Sequence, residues 1–135
     1  RAPQQANAPL PPLVLMVHGF PGDSLSYGDI FGDLSKQLVS MGLDTLRFDM
    51  RGCGQSDKGA RFFTIKTAHE DGLCGIRWAL KQGYNDFILI TEGYGATIAL
   101  TMLIDTIRPH IRGIAMLWPV LERRGSWLST LIPLG

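Results

Sequence analysis

Three glycine-bearing segments combine tight turns with side chains that could do chemistry: His18-Gly19-Phe20-Pro21-Gly22, Asp49-Met50-Arg51-Gly52-Cys53-Gly54-Gln55-Ser56 and Thr91-Glu92-Gly93-Tyr94-Gly95. Turns of this kind bring backbone N–H groups close to a ligand, and such donors hold a carbonyl, carboxylate or phosphate oxygen. His18 offers an imidazole for proton transfer, but in this setting its expected work is to shape its loop. Arg51 is available to pair with a carboxylate. Cys53 is expected to be an ordinary small loop residue and Cys74 a core residue within a helix. His69 is placed in the first turn of a helix facing solvent, and His110 in a loop. The two cysteines fit neither a zinc spacing nor a disulfide framework, so no metal and no cofactor are expected.

Short apolar runs alternate with helix-period stretches around these loops. Leu13-Val14-Leu15-Met16-Val17 is continuously apolar, as a strand buried on both faces should be. A helix follows with Phe31, Leu34, Leu38 and Met41 at helical spacing and Gly42 as its stop. Thr45 to Asp49 forms a second strand. Thr67-Ala68-His69-Glu70 has the form of a capping box opening a helix that runs through Ile76, Ala79 and Leu80 to Gly83. Phe87 to Ile90 is a third strand, followed by a helix carrying Ala96, Ala99, Leu100, Leu103 and Ile107, with Asp105 inside its pattern. Ile114 to Trp118 is a fourth strand, apolar throughout. This alternation predicts an α/β fold with a parallel sheet covered by helices.

The chain has 135 residues, enough for one domain. Hydrophobic residues make up 45% and charged residues 19%, the balance of a folded protein rather than a disordered one. Thirteen basic against twelve acidic residues leave +1, which argues against a nucleic-acid partner. No apolar run reaches the ~18 residues needed to cross a bilayer, which argues against an integral membrane protein. Residues 1–12, rich in proline, read as an extended lead-in without the features of a signal peptide, and a cytoplasmic setting is the default. Residues 13–120 form the core. The tail, 121–135, carries Trp127, Leu128, Leu131 and Ile132 in search of a partner surface.

In order and spacing, the three loops resemble the first half of an α/β-hydrolase, over about Leu13 to Val120. Asp49, Arg51, Gly52, Gly54 and Ser56 fit that family's Asp-x-Arg-Gly-x-Gly-x-Ser loop. The likeness is closest to feruloyl-type esterases and the serine-aminopeptidase-like group. It implies a three-layer sandwich with about four parallel strands in the order second, first, third, fourth. It also implies further strands on either side and a cap that could begin in the tail. The resemblance assigns oxyanion-hole-like backbone donors to Phe20 and Tyr94, with His18, Gly19 and Gly95 shaping the loops. It puts the G-x-S-x-G nucleophile elbow at Thr91 to Gly95, with Gly93 where the family has serine. Shifting the frame to a Glu92 nucleophile would require small residues at Ile90 and Tyr94. His110 is the only histidine after Gly93, and Glu122 is an acid without a histidine to orient, so no catalytic triad is intact.

The expected function is therefore that of a hydrolase-like chain without catalytic capacity, a binding or structural subunit of a larger assembly. Its expected partner is another protein chain covering the fourth strand's open edge and the apolar tail. A small acyl or carboxylate ligand is the expected small-molecule partner. One alternative is a fragment, or a Ser-to-Gly variant, of a serine esterase or peptidase. A second is a dinucleotide-binding module built on Gly93-Tyr94-Gly95-Ala96-Thr97-Ile98, where Ile98 replaces the third glycine of G-x-G-x-x-G.

Overall fold

In the computed structural model, residues 9–56 and 59–121 are described. Four strands, β1 (Leu13–Val17), β2 (Asp44–Arg47), β3 (Phe87–Glu92) and β4 (Ile111–Leu117), alternate with three helices, α1 (Ile30–Ser40), α2 (Ile65–Lys81) and α3 (Tyr94–Met102). All neighbouring strands run parallel in the order β2-β1-β3-β4, the order that the family resemblance implied.

The period of two along β1 divides the core. Leu13, Leu15 and Val17 point to the face covered by α2 and α3, where they meet Ile76, Ala79, Ile98, Ala99 and Met102. Val14 and Met16 point the other way, onto Phe31 and the half-buried Leu34 and Leu38 of α1. Three layers result. Because α1 is the one helix on this face among the described residues, Ile88, Ile90 and Leu117 are only partly buried there. α3 packs both on the central strands and on α2 beside it, so it is buried nearly all round rather than on one stripe.

Several sequence-derived boundaries shift. The N-cap of α2 is Thr64, three residues before the expected box. Its hydroxyl accepts from the Thr67 N–H at 3.0 Å, and the Thr67 hydroxyl accepts from the Thr64 N–H at 2.9 Å. Threonine at the third helical position thus does the work usually given to Glu or Gln. β2 ends at Arg47, and Phe48 and Asp49 already belong to the loop. β4 begins at Ile111, three residues before the expected start, where Phe87 pairs with Ile111. Among the described residues it is an edge strand, and it is only half-buried. α3 ends at Met102, which leaves Leu103 as its C-cap and places Asp105 and Ile107 in the following turn. Met41 caps α1 and is exposed instead of packed. The apolar residues of the tail, and Glu122, lie outside the described residues.

Candidate functional site

In the order β2-β1-β3-β4 the chain winds one way from β1 to β2 and the other way from β3 to β4. The crevice of such a sheet opens at the carboxyl ends of the two central strands. Those ends are β1, running into His18 and Gly19, and β3, running into Gly93. The first and third glycine loops therefore meet. Gly19 packs so tightly on the β3–α3 turn that a Cβ there would lie 3.0 Å from the Glu92 carbonyl and 3.3 Å from the Tyr94 nitrogen.

Gly93 makes the sharp turn from β3 into α3 with φ 55° and ψ −123°, a conformation that residues with a Cβ adopt only under strain. Its N–H donates to the Leu117 carbonyl at 3.2 Å, and its carbonyl accepts from the Val120 N–H at 3.0 Å. The Thr97 hydroxyl donates to the Val120 carbonyl at 2.5 Å, so the end of β4 holds the turn from outside. Two residues on, Gly95 lets α3 approach β1 in a way no other residue allows, since a Cβ there would stand 2.1 Å from the Val17 carbonyl oxygen. Thr91, at the first position of the elbow frame, is fully buried, and its hydroxyl points to the Ala115 carbonyl at 3.4 Å. Tyr94 is the first residue of α3, so its N–H is among those with no carbonyl one turn earlier. Phe20 stacks on Phe63, ring centroids 4.3 Å apart, which ties the first loop to the entry of α2.

His18 is 1% exposed, and both of its ring nitrogens are engaged. Nε2 accepts from the Met50 N–H at 3.2 Å, which leaves Nδ1 as the donor to the Gly19 carbonyl at 2.8 Å. The ring thus joins the loops after β1 and β2. Asp49 does the same with its carboxylate, accepting from the Ser24 N–H and the Gln55 N–H, each at 2.7 Å. Burial alone would push the Asp49 carboxyl up, but these backbone donors and the Ser24 hydroxyl hold it below the usual aspartate range. The carboxylate partner expected for Arg51 is Asp71, which accepts from Nε at 2.7 Å and from the backbone N–H at 2.8 Å. Glu70 takes the other arm of the guanidinium at 2.8 Å. Arg51 therefore fastens the second loop to α2 rather than facing the crevice.

Two side chains lie elsewhere than expected. His69 does not face solvent: its Nδ1 donates to the Thr101 hydroxyl at 2.8 Å, because that hydroxyl itself donates to the Ile98 carbonyl. It bridges α2 and α3. Cys74 is exposed on α2, on the side that overhangs the outer edge of β2, and lines a groove of about 340 Å³ with Leu46, Phe48 and Trp78. Cys53 is the buried cysteine. Burial pushes its thiol up, with Asp49, Asp71 and Asp23 adding to the effect against a hydrogen bond from the Gly22 backbone. Ellman's reagent should therefore titrate one thiol rapidly in the native chain. Cys74→Ala should remove that fast phase, whereas a fast phase lost only with Cys53→Ala would contradict this placement.

Sequence reasoning treated Glu92 only as a nucleophile and missed its actual place. Its Oε2 accepts from the Gly19 N–H at 3.2 Å and the Ser26 hydroxyl at 3.3 Å, and its Oε1 accepts from the Trp118 indole N–H at 3.2 Å. The donors come from the first loop and from the end of β4, 26 to 73 residues away. The one local sign was a carboxylate directly before the turn glycine.

A profile of the alpha/beta hydrolase fold matches residues 12–132. Dipeptidyl aminopeptidase BIII of Pseudoxanthomonas mexicana is 32% identical over 138 aligned positions, covering 96% of this chain but only 19% of that protein. The chain thus spans about a fifth of the length of the curated relative it matches. Est1E of Butyrivibrio proteoclasticus, solved with ferulic acid bound, superposes with a TM-score of 0.69 at 25% identity, over 80% of this chain and 43% of that one. A proline iminopeptidase-related protein of Thermus thermophilus gives 0.61 at 29% identity, over 82% and 38%. The parallel sheet, its strand order and the matched profile agree: the chain belongs to the α/β-hydrolase fold family.

Proposed function

We propose that this chain binds rather than turns over its ligand, and that it serves as a binding or structural subunit of a larger assembly. The observation that carries this reading is Gly93. The turn has the backbone form that presents a nucleophile, but at its apex there is no side chain to attack with. The chain's three histidines give a second line of support. His18 has both nitrogens occupied, His69 is bonded to Thr101, and His110 sits beside Asn85 at the opposite end of the sheet. None is poised to accept a proton at the turn. The N–H groups of Phe20 and Tyr94 are the proposed oxygen cradle, shaped by His18, Gly19 and Gly95, for a ligand carbonyl or other oxygen. Exposed Val120 and Leu121 beyond the half-buried strand β4 are the proposed contact for a partner chain.

The test is a fluorophosphonate probe, which reports an activated hydroxyl. The chain should remain unlabelled at the turn. Gly93→Ser should fit, since a Cβ there meets nothing nearer than the Gly19 Cα at 4.0 Å. Aryl-ester hydrolysis by that variant should stay at the buffer rate, because no base is in place. Labelling of the unaltered turn, or robust turnover by Gly93→Ser, would overturn the reading.

A second reading is favoured by that same space at position 93 and by the 32% identity to a dipeptidyl aminopeptidase. It takes the chain as a segment or Ser-to-Gly variant of a serine peptidase or esterase, with acid and histidine supplied by sequence outside these residues. Turnover restored by Gly93→Ser only within a longer chain would select it. The dinucleotide alternative has no specific observation in its favour.

A further inference from the structure

The Glu92 carboxylate is held by three neutral donors, the Gly19 N–H, the Ser26 hydroxyl and the Trp118 indole N–H. These orient both oxygens without neutralising the charge. No Lys, Arg or His among the described residues forms a salt bridge with it. The N-terminus of α3 offers roughly half a positive charge, so a net negative charge remains at the mouth of the crevice. Trp118 stands beside this carboxylate, tethered through its indole N–H and 56% exposed. No ring or cation among the described residues covers its face. Tyr94, 41% exposed, opens α3 two residues from Glu92. A fixed carboxylate next to an open indole face is the chemistry that receives an organic cation, which an aromatic face attracts within about 6 Å of its centroid.

We infer that Glu92 and Trp118 form a subsite for a small alkylammonium group, with Tyr94 at its rim. The inference rests on the reading of this crevice as a ligand site and narrows the ligand. A carboxylate touching the Gly19 amide repels anions from the neighbouring Phe20 and Tyr94 N–H groups. The favoured ligand therefore pairs a neutral carbonyl with a cationic group a few ångströms away, rather than carrying a free carboxylate or phosphate.

Choline and its uncharged isostere 3,3-dimethyl-1-butanol test the subsite on the unaltered chain and its variants, followed by isothermal titration calorimetry. Choline should bind at least about tenfold more tightly than the alcohol. Glu92→Gln should weaken choline by about tenfold, and Trp118→Leu by about fivefold. Equal affinity for choline and the alcohol, or no choline binding by the folded chain, overturns the inference. So does undiminished binding by a folded Glu92→Gln variant. If Glu92→Gln does not fold, Trp118→Leu and the choline–alcohol comparison decide the matter between them. Choline carries no acyl group and the fluorophosphonate probe reads only the turn, so the subsite and the non-catalytic reading fail separately.

Discussion

Gly95→Ala should cost at least about 3 kcal/mol in urea unfolding, or prevent the chain from folding. The added methyl would stand 2.1 Å from the Val17 carbonyl oxygen, 2.9 Å from its carbon and 3.0 Å from the His18 carbonyl oxygen. All three are backbone atoms of the central strand and its loop, so no rotamer change makes room. α3 would have to lift away from β1 and give up packing around Ile98 and Ala99, both fully buried. Gly93→Ala provides the control. It meets no close atom and carries only the strain of its backbone conformation, about 1–3 kcal/mol. A Gly93 variant less stable than the Gly95 variant would show that the approach of α3 to β1 is looser than described.

His18→Ala should lower stability by about 2–4 kcal/mol, through lost volume and a buried Met50 N–H left without an acceptor. His18→Phe separates the two effects. It restores a ring but offers no acceptor, and should still cost about 1–3 kcal/mol. Chemical denaturation of both variants measures this. A phenylalanine variant as stable as the parent chain would reduce His18 to a space filler. An imidazole poised for proton transfer keeps one nitrogen for the substrate, whereas His18 commits both to the backbone.

The loops were legible in the sequence because close backbone approach restricts residue choice. Gly19 and Gly95 sit where a Cβ would meet backbone, and the apolar run of β1 fits a strand covered on both faces. What was not legible depends on neighbours distant in the chain. Cys74 looks like a core residue on a helix, but its side of α2 overhangs the outer edge of β2, where no described strand follows. His69 finds Thr101 only after α2 and α3 have packed together. β4 starts at Ile111 rather than Ile114 because β3 supplies ladder partners to Ile111 and Gly113, which no local apolar run announces. Glu92 could not be placed from its own surroundings, since its three partners arrive from two other segments of the chain.

The hydrogen bonds from Gly93 to Leu117, from Val120 to Gly93 and from Thr97 to Val120 make the apex of the central turn and the exit of the outermost strand one mechanical unit. A molecule that grips residues 118–120 restrains the apex through those links. By thermodynamic reciprocity, any preference of an edge-bound neighbour for one shape of the apex must appear as an equal preference of an occupied crevice for that neighbour. Recruitment at the rim and occupancy at the centre are two readings of a single free-energy difference.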